Sequence, residues 1–262
     1  MKTKIILPIF LMAFWACSDN ESNPAKPEVP EPPASSEAIP TSSEAVPSSS
    51  SVVAEVPDSC GSFVDARDGQ SYCTVKIGEQ TWMAKNLAYA IPGSICRSNN
   101  PANCEKYGRL YSWAQAIGKT DAECGVGKNC ALTEGQFQGA CPDGWSLPDT
   151  SDWKQLMRFV RENNEGESLA ASLLSTEEPE WAEYVTATDR FGFAALASAG
   201  SYNPENSFTG DDRTFFWSRT QDTFGDDDYD DAHMFLVQPL DEVVWVGSAG
   251  KIAQYSVRCI KY

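Results

Sequence analysis

Histidine is almost missing from this 262-residue chain, which has only His233. It falls between Asp231 and Met234, at the edge of an expected strand, with no Ser or Cys nucleophile beside it. A Ser-His-Asp or Cys-His arrangement cannot be assembled from parts this sparse, so His233 reads as structural. The zinc-protease pattern HExxH and the phosphate-cradling glycine loop are both absent. The cysteines contain no paired CxxC of a zinc site. Positive charge is also scarce: 20 Lys and Arg stand against 37 Asp and Glu, for a net charge of −17. That excess argues against nucleic acid as a partner, because phosphate binding is driven by Lys and Arg. With so many acids some carboxylate pair arises by chance, so pairs by themselves give no support to glycoside hydrolysis.

What is present begins with Lys2 and Lys4 ahead of the apolar run Ile5 to Trp15. The run is too short to span a bilayer as a helix and suits the core of a signal peptide. It ends in Ala16-Cys17, which resembles a bacterial lipoprotein signal; residues 1–17 are then the leader and Cys17 the lipidated residue. Ser18 and the acids after it resemble signals for export to the outer face of the outer membrane, with the lipid as the contact to that membrane. Residues 18–57 are dominated by Pro, Ser, Glu, Ala and Val and hold no aromatic residue. Such a segment buries too little apolar area to offset its ordering entropy and reads as a disordered stalk. The imperfect repeat of residues 35–40 at 42–47 favours polyproline II, giving a reach of at most roughly 120 Å.

Residues 58–262 read as one domain. Nine cysteines are many for a cytosolic chain, and setting Cys17 aside leaves eight, an even number consistent with four disulfides in an oxidising compartment. Asp68-Gly69 between residues 63–67 and 70–77 signals a hairpin that Cys60 and Cys73 are placed to staple. Residues 80–84 read as a further strand with Trp82 in the core. Cys96 to Cys104 and Cys124 to Cys130 bracket two polar loops on either side of an expected helix, 107–117, ended by Gly118. Local 96–104 and 124–130 pairs are the expectation, although sequence alone does not fix connectivity.

The densest instruction lies at Cys141-Pro142-Asp143-Gly144-Trp145-Ser146-Leu147-Pro148. Asp143-Gly144 calls for a tight turn, and Pro148 keeps Leu147 extended. Asp149 caps a helix in which Asp152 meets the positive end. Trp153, Leu156, Met157 and Val160 then form one apolar stripe. A short helix is expected near 168–174 and a strand over 191–199. A loop-rich region is expected over 211–231, and closing strands over 232–237, 243–246 and 255–262, with Trp245 in the core.

These motifs carry a resemblance. The Cys141 to Pro148 turn with Trp153 on the following helix, Phe191-Gly192-Phe193-Ala194-Ala195-Leu196, Phe216-Trp217-Ser218 and Tyr255-Ser256-Val257-Arg258-Cys259 resemble the Fibrobacter succinogenes major paralogous domain. Upstream, Tyr72 to Leu87 and Gly108 to Trp113 look like it too. The match runs over about residues 61–262. That family is similar in turn to the C-type-lectin-like fold, so the resemblance implies an α+β domain with short antiparallel strands, two main helices, long loops and disulfides. Cys141 and Cys259 both sit in family motifs, which implies a long-range bond between them.

The family brings no activity with it. The motifs of calcium-dependent sugar-binding lectins are missing: only Gln238-Pro239-Leu240 and Asn203-Pro204-Glu205 occur, without Trp-Asn-Asp. The broad fold includes formylglycine-generating enzymes, yet four disulfides leave no pair of active cysteines. Asp226, Asp228 and Asp230 copy the spacing of a calcium loop, but Asp231 and Val237 stand where its Gly and Glu belong. The two readings there are an irregular calcium site and a solvated acidic loop. Trp181, Tyr184, Tyr202 and Phe208 lie in polar loop contexts and are the candidates for stacking against sugar rings, against a reading as partly buried loop anchors. The functional expectation is a non-catalytic, surface-displayed module that binds extracellular polysaccharide. The alternative is an interaction module of the envelope with a protein partner, and an enzyme is the distant third.

Overall fold

A computed structural model of the chain describes residues 60–130, 132, 135–201, 208–209, 213–223, 229–240 and 242–262. Cys17 and residues 18–57 lie outside them. The first hairpin forms where Asp68-Gly69 predicts it. β1 (Gly61–Val64) pairs antiparallel with β2 (Ser71–Ile77), and β2 with β3 (Gln80–Met83). Gly69 takes a positive φ of 76°, and the Asp65 carboxylate holds the turn from inside through the Arg67 guanidinium.

β4 (Ile95–Cys96) leads into α1 (Asn103–Tyr107), β5 (Arg109–Tyr111), α2 (Trp113–Ala116) and α3 (Asp121–Cys124). The single helix expected over 107–117 is therefore corrected to strand plus short helix. Gly108, at φ 70°, lies so close to the Asn86–Leu87 backbone that a Cβ would come 2.8 Å from Leu87 O. The chain straightens there, and Arg109 N–H donates to Leu87 O at 2.9 Å. Leu110, Ala114 and Ile117 are buried all the same.

α4 (Thr150–Asn163) starts where the caps place it: Asp149 accepts from the N–H groups of Ser151 and Asp152, and Asp152 accepts from Asp149 N–H. α5 (Leu169–Leu173) follows, capped by Ser168. The strand expected over 191–199 does not form. Ala194 and Ala199 have φ of 51° and 56°, and the segment makes only single bridges, Leu174 to Ala195 and Ala199 to Thr214. Its Phe193 and Ala194 carbonyls are taken instead by the Arg258 guanidinium.

Two short strands, β6 (Gly200–Ser201) and β7 (Phe208–Thr209), pair with each other. The longest strands come next: β8 (Thr214–Gln221), β9 (Asp231–Gln238) and β10 (Val243–Gly250). Phe216-Trp217-Ser218 thus belongs to a central strand, not to a loop. The expected last strand is split into β11 (Tyr255–Ser256) and β12 (Ile260–Lys261). A six-stranded sheet has the order β10-β9-β8-β11-β5-β4, and a four-stranded one the order β1-β2-β3-β12. Pairing is antiparallel except between β8 and β11. The molecule is an α+β protein with short strands, few helices and disulfides.

Alternation on β8 and β9 buries both faces of the larger sheet. Phe215, Trp217, Met234 and Leu236 join one cluster with Trp113, Ile117, Leu147 and Tyr255. Phe216, Phe235 and Val237 join the other under α4, where Trp153 stacks on Phe235 at 4.5 Å and on Trp82 at 4.7 Å. Four disulfides close the frame: Cys60–Cys73, Cys96–Cys104, Cys124–Cys130 and the long-range Cys141–Cys259.

Candidate functional site

Of the aromatic and acidic residues singled out in the loops, Trp181, Tyr184 and Asp230 have described side chains. Trp181 closes the 3-10 turn Pro179–Trp181 and is fully buried in the cluster beneath α4, so its ring has no face to offer a sugar. This corrects its reading as a stacking residue. The turn is pinned from both sides: Lys106 Nζ lies 2.7 Å from Glu178 Oε1, and Arg97 Nη1 lies 3.5 Å from Glu180 Oε1. Burial pushes the Glu178 carboxyl up, while Lys106 pulls it down. For Glu180 burial acts in the same upward direction but is outweighed by hydrogen bonds and by Arg97, so its carboxyl sits below the ordinary value. A core tryptophan anchored under an ion-paired turn gives no sequence periodicity, which is why it resembles a loop aromatic.

Tyr184, three residues on, is 37% exposed. Phe208 has its backbone in β7. Tyr202, Asp226 and Asp228 lie outside the described residues. Asp230 is exposed, and its carbonyl accepts from Lys251 N–H at 2.8 Å. Among the described residues, no three His, Cys, Asp or Glu side chains gather as a metal site would need.

His233 meets two partners that sequence separation hides. It pairs across the β9–β10 ladder with Ser248, whose Oγ lies 3.2 Å from His233 Nδ1 and donates to the Asp222 carboxylate at the end of β8. Nδ1 is also 3.2 Å from Gly247 O. The serine, not the histidine, is the middle member. An acyl-transfer triad needs the imidazole between hydroxyl and carboxylate. Here the serine proton is already committed to Asp222, and the imidazole nitrogen beside the hydroxyl also faces a carbonyl that calls for a donor.

Trp245, expected in the core, is 46% exposed on β10, the edge strand of the larger sheet. Its indole lies over Gly247, two residues along the same strand face, so closely that a Cβ at 247 would fall 2.6 Å from the ring. Gly247 thus makes the bed on which the indole rests. The Nε1–H has no acceptor among the described residues, and Val243 and Leu240 are exposed nearby in the chain. The signal available in sequence was the Trp-x-Gly spacing, in which the missing side chain makes room for the ring.

Two of the hollows in the described surface have acidic side chains in their walls. The larger, of about 580 Å³, is lined by Asp68, Tyr89, Glu105 and Arg109, but the Arg109 guanidinium is already held by Ser94 Oγ at 2.7 Å and Ser94 O at 2.6 Å. The second, of about 390 Å³, lies between α2, α3 and the turn after β10, with Ser112, Asp121, Val126, Lys251, Ile252 and Gln254 in its wall.

A family model described as the Fibrobacter succinogenes major domain matches residues 75–261. No curated protein and no solved structure matches the chain.

Proposed function

The chain belongs to the Fibrobacter succinogenes major domain family, and from that premise we propose that it is a non-catalytic binding module carried on the cell surface as a lipoprotein, with extracellular polysaccharide as its ligand. The fold we assign to it is C-type-lectin-like; the order of the shared motifs and the α+β arrangement of short antiparallel strands support that assignment. One observation carries the ligand class. Trp245 presents a flat, half-exposed indole with an unpartnered N–H on a rigid edge strand. A sugar ring is bound by an apolar face beside hydrogen-bonding groups, and an aromatic with a polar tip supplies both. The strand beneath it loses little conformational freedom on binding, since β10 is zipped to β9 over eight residue pairs, Val243↔Gln238 to Gly250↔Asp231. The leader and Pro/Ser-rich stalk read from the sequence support display of such a surface in the medium.

Affinity electrophoresis of the purified protein through gels containing a panel of soluble polysaccharides, with and without calcium, tests this reading. Retention by at least one polysaccharide is expected, lost in Trp245→Ala and largely kept in Trp245→Tyr, with the melting temperature unchanged. Equal retention of wild type and Trp245→Ala removes the platform from the proposal. Retention by no polysaccharide, with recovery of one specific envelope protein in a pull-down, replaces it with the protein-interaction reading.

A further inference from the structure

β10 is an edge strand that carries none of the usual protections of an edge. Its eight residues, Val243-Val244-Trp245-Val246-Gly247-Ser248-Ala249-Gly250, include no Pro and no charged side chain, in a chain whose net charge is −17. The ladder to β9 runs without a bulge from Val243↔Gln238 to Gly250↔Asp231. β4, at the opposite edge of the same sheet, is only Ile95–Cys96.

The hydrogen-bonding phase of this edge is fixed at its end. Lys251 N–H donates to Asp230 O at 2.8 Å, one step beyond Gly250↔Asp231 in the same register. Antiparallel ladders alternate, so residues 243, 245, 247 and 249 spend their backbone groups on β9, while those of Val244, Val246 and Ser248 point away from it. Gly250 obeys the same alternation, its carbonyl accepting from Ala253 N–H at 2.8 Å. Val244, Val246 and Ser248 therefore present N–H and C=O groups with no backbone partner among the described residues.

Size along the strand identifies what the edge fits. About Val246 the sequence is large on one side and small on the other: Trp245 against Gly247, Val244 against Ser248, Val243 against Ala249. A second β10 laid antiparallel about Val246 sets each large residue opposite a small one. The outward residues then meet as hydrogen-bonded pairs, Val246 with its own copy and Val244 with Ser248, and Trp245 meets Gly247 in the closer, non-hydrogen-bonded kind. Each indole leans along its own strand over Gly247, so the two rings lie side by side over a bed without side chains. An unrelated extended segment satisfies the backbone equally well, but matches this alternation of bulk only by chance. Elsewhere two copies of so acidic a chain repel each other.

We propose that β10 pairs antiparallel with β10 of a second copy about a twofold axis at Val246, joining two six-stranded sheets into one. The contact is isologous and closes on itself. It does not rest on the polysaccharide reading, and it sets both Trp245 rings on one face of the joined sheet.

The test is sedimentation equilibrium of the full-length protein carrying Cys17→Ser, so that no lipid contributes to association, with amide hydrogen exchange resolved by residue. A monomer–dimer equilibrium is expected. Where the dimer dominates, the Val244, Val246 and Ser248 amides exchange slowly; dilution speeds them, while Trp245 and Gly247, bonded to β9 in both states, stay protected. Ser248→Pro removes an outward N–H, leaves the bonds to β9 and should weaken dimerisation at least about tenfold, since the twofold axis counts the loss twice. Two variants should leave dimerisation unchanged: Ser248→Ala, which loses the hydroxyl contact with Asp222 but keeps the N–H, and Val64→Lys on the exposed edge strand of the smaller sheet. If Ser248→Pro fails to fold, the exchange pattern of the unaltered strand carries the test. A monomer at all concentrations overturns the proposal, as does a dimer whose Val244, Val246 and Ser248 amides exchange as fast as on dilution. Equal weakening by Ser248→Ala, or a dimer broken by Val64→Lys, overturns it too. Dimerisation of a protein that binds no polysaccharide supports the pairing and removes the platform; polysaccharide retention by a protein that stays monomeric does the reverse.

Discussion

Arg258 Nη2 donates to Asn86 Oδ1 at 2.7 Å, joining residues 172 apart in sequence inside the fully buried core. The same guanidinium reaches Asn86 again through Nε at 3.1 Å, Met83 O at 3.1 Å, Ala194 O at 3.3 Å and Phe193 O, and it faces the Phe193 and Phe216 rings. A single charged group thus ties the end of β3, the 193–194 segment and the C-terminal segment together. Burial pushes its pKa down to about 9, against the pull of Asp189, so it remains charged at neutral pH and depends on these acceptors. Hydrogen bonds to a charged group contribute roughly 1.5–3 kcal/mol each. Asn86→Ala, which removes two of them, is expected to lower stability by on the order of 3 kcal/mol in urea unfolding with disulfides intact.

The Asp189 carboxyl makes stability depend on pH in an unusual direction. Burial raises it from its ordinary value to about 6, although Ala194 N–H donates to it at 2.7 Å and Arg258 pulls the other way. A carboxyl raised by folding binds its proton more tightly in the native state. Its contribution is therefore fully present below the unfolded value near 4 and is lost as pH rises through 6. The difference in unfolding free energy between wild type and Asp189→Asn should change by roughly 1–3 kcal/mol between pH 4 and pH 7. A flat difference over that range would contradict the assignment.

The Cys141–Cys259 bond spans 118 residues and links the turn before α4 to the segment before β12. In the chain-entropy account, closing such a loop contributes about 4–5 kcal/mol, with measured values often lower. The double variant Cys141→Ala, Cys259→Ala should lose several kcal/mol in guanidinium unfolding. Non-reducing peptide mapping of the wild type should return all four pairs and no free thiol at either position.

Trp181 and Trp245 should respond in opposite ways. Trp181→Ala empties a fully buried site and is expected to cost roughly 3–5 kcal/mol. Trp245→Ala removes a half-exposed ring from an edge strand and should stay within about 1 kcal/mol. Paired thermal melts of the two variants decide the matter.

Cys17 is the proposed lipid attachment point. Wild-type protein should fractionate with membranes and carry a modified N-terminus by mass spectrometry, whereas Cys17→Ser should not. Recovery of the variant wholly in the membrane fraction would remove the anchor.

Local chemistry was sufficient wherever neighbouring residues settle their own conformation. Asp68-Gly69 determined the first hairpin, and Asp149 with Asp152 determined where α4 begins. The stripe of Trp153, Leu156 and Val160 determined which face of that helix is buried, because helical spacing alone brings those residues together. The motifs read over about residues 61–262 were enough to indicate the family, whose model matches residues 75–261. Tertiary structure decided the rest, for reasons of reach. The 107–117 segment broke at Gly108 because the Asn86–Leu87 backbone, distant in sequence, runs beside it. The 191–199 segment gave up strand pairing because Arg258 claimed its carbonyls. Trp181 and Trp245 exchanged their expected places because burial depends on what lies across the gap: the first meets the apolar cluster beneath α4, while β10 lies at the sheet edge and leaves the second half open. A residue's periodicity records its own element, and its exposure is set by elements it meets only after the chain has folded.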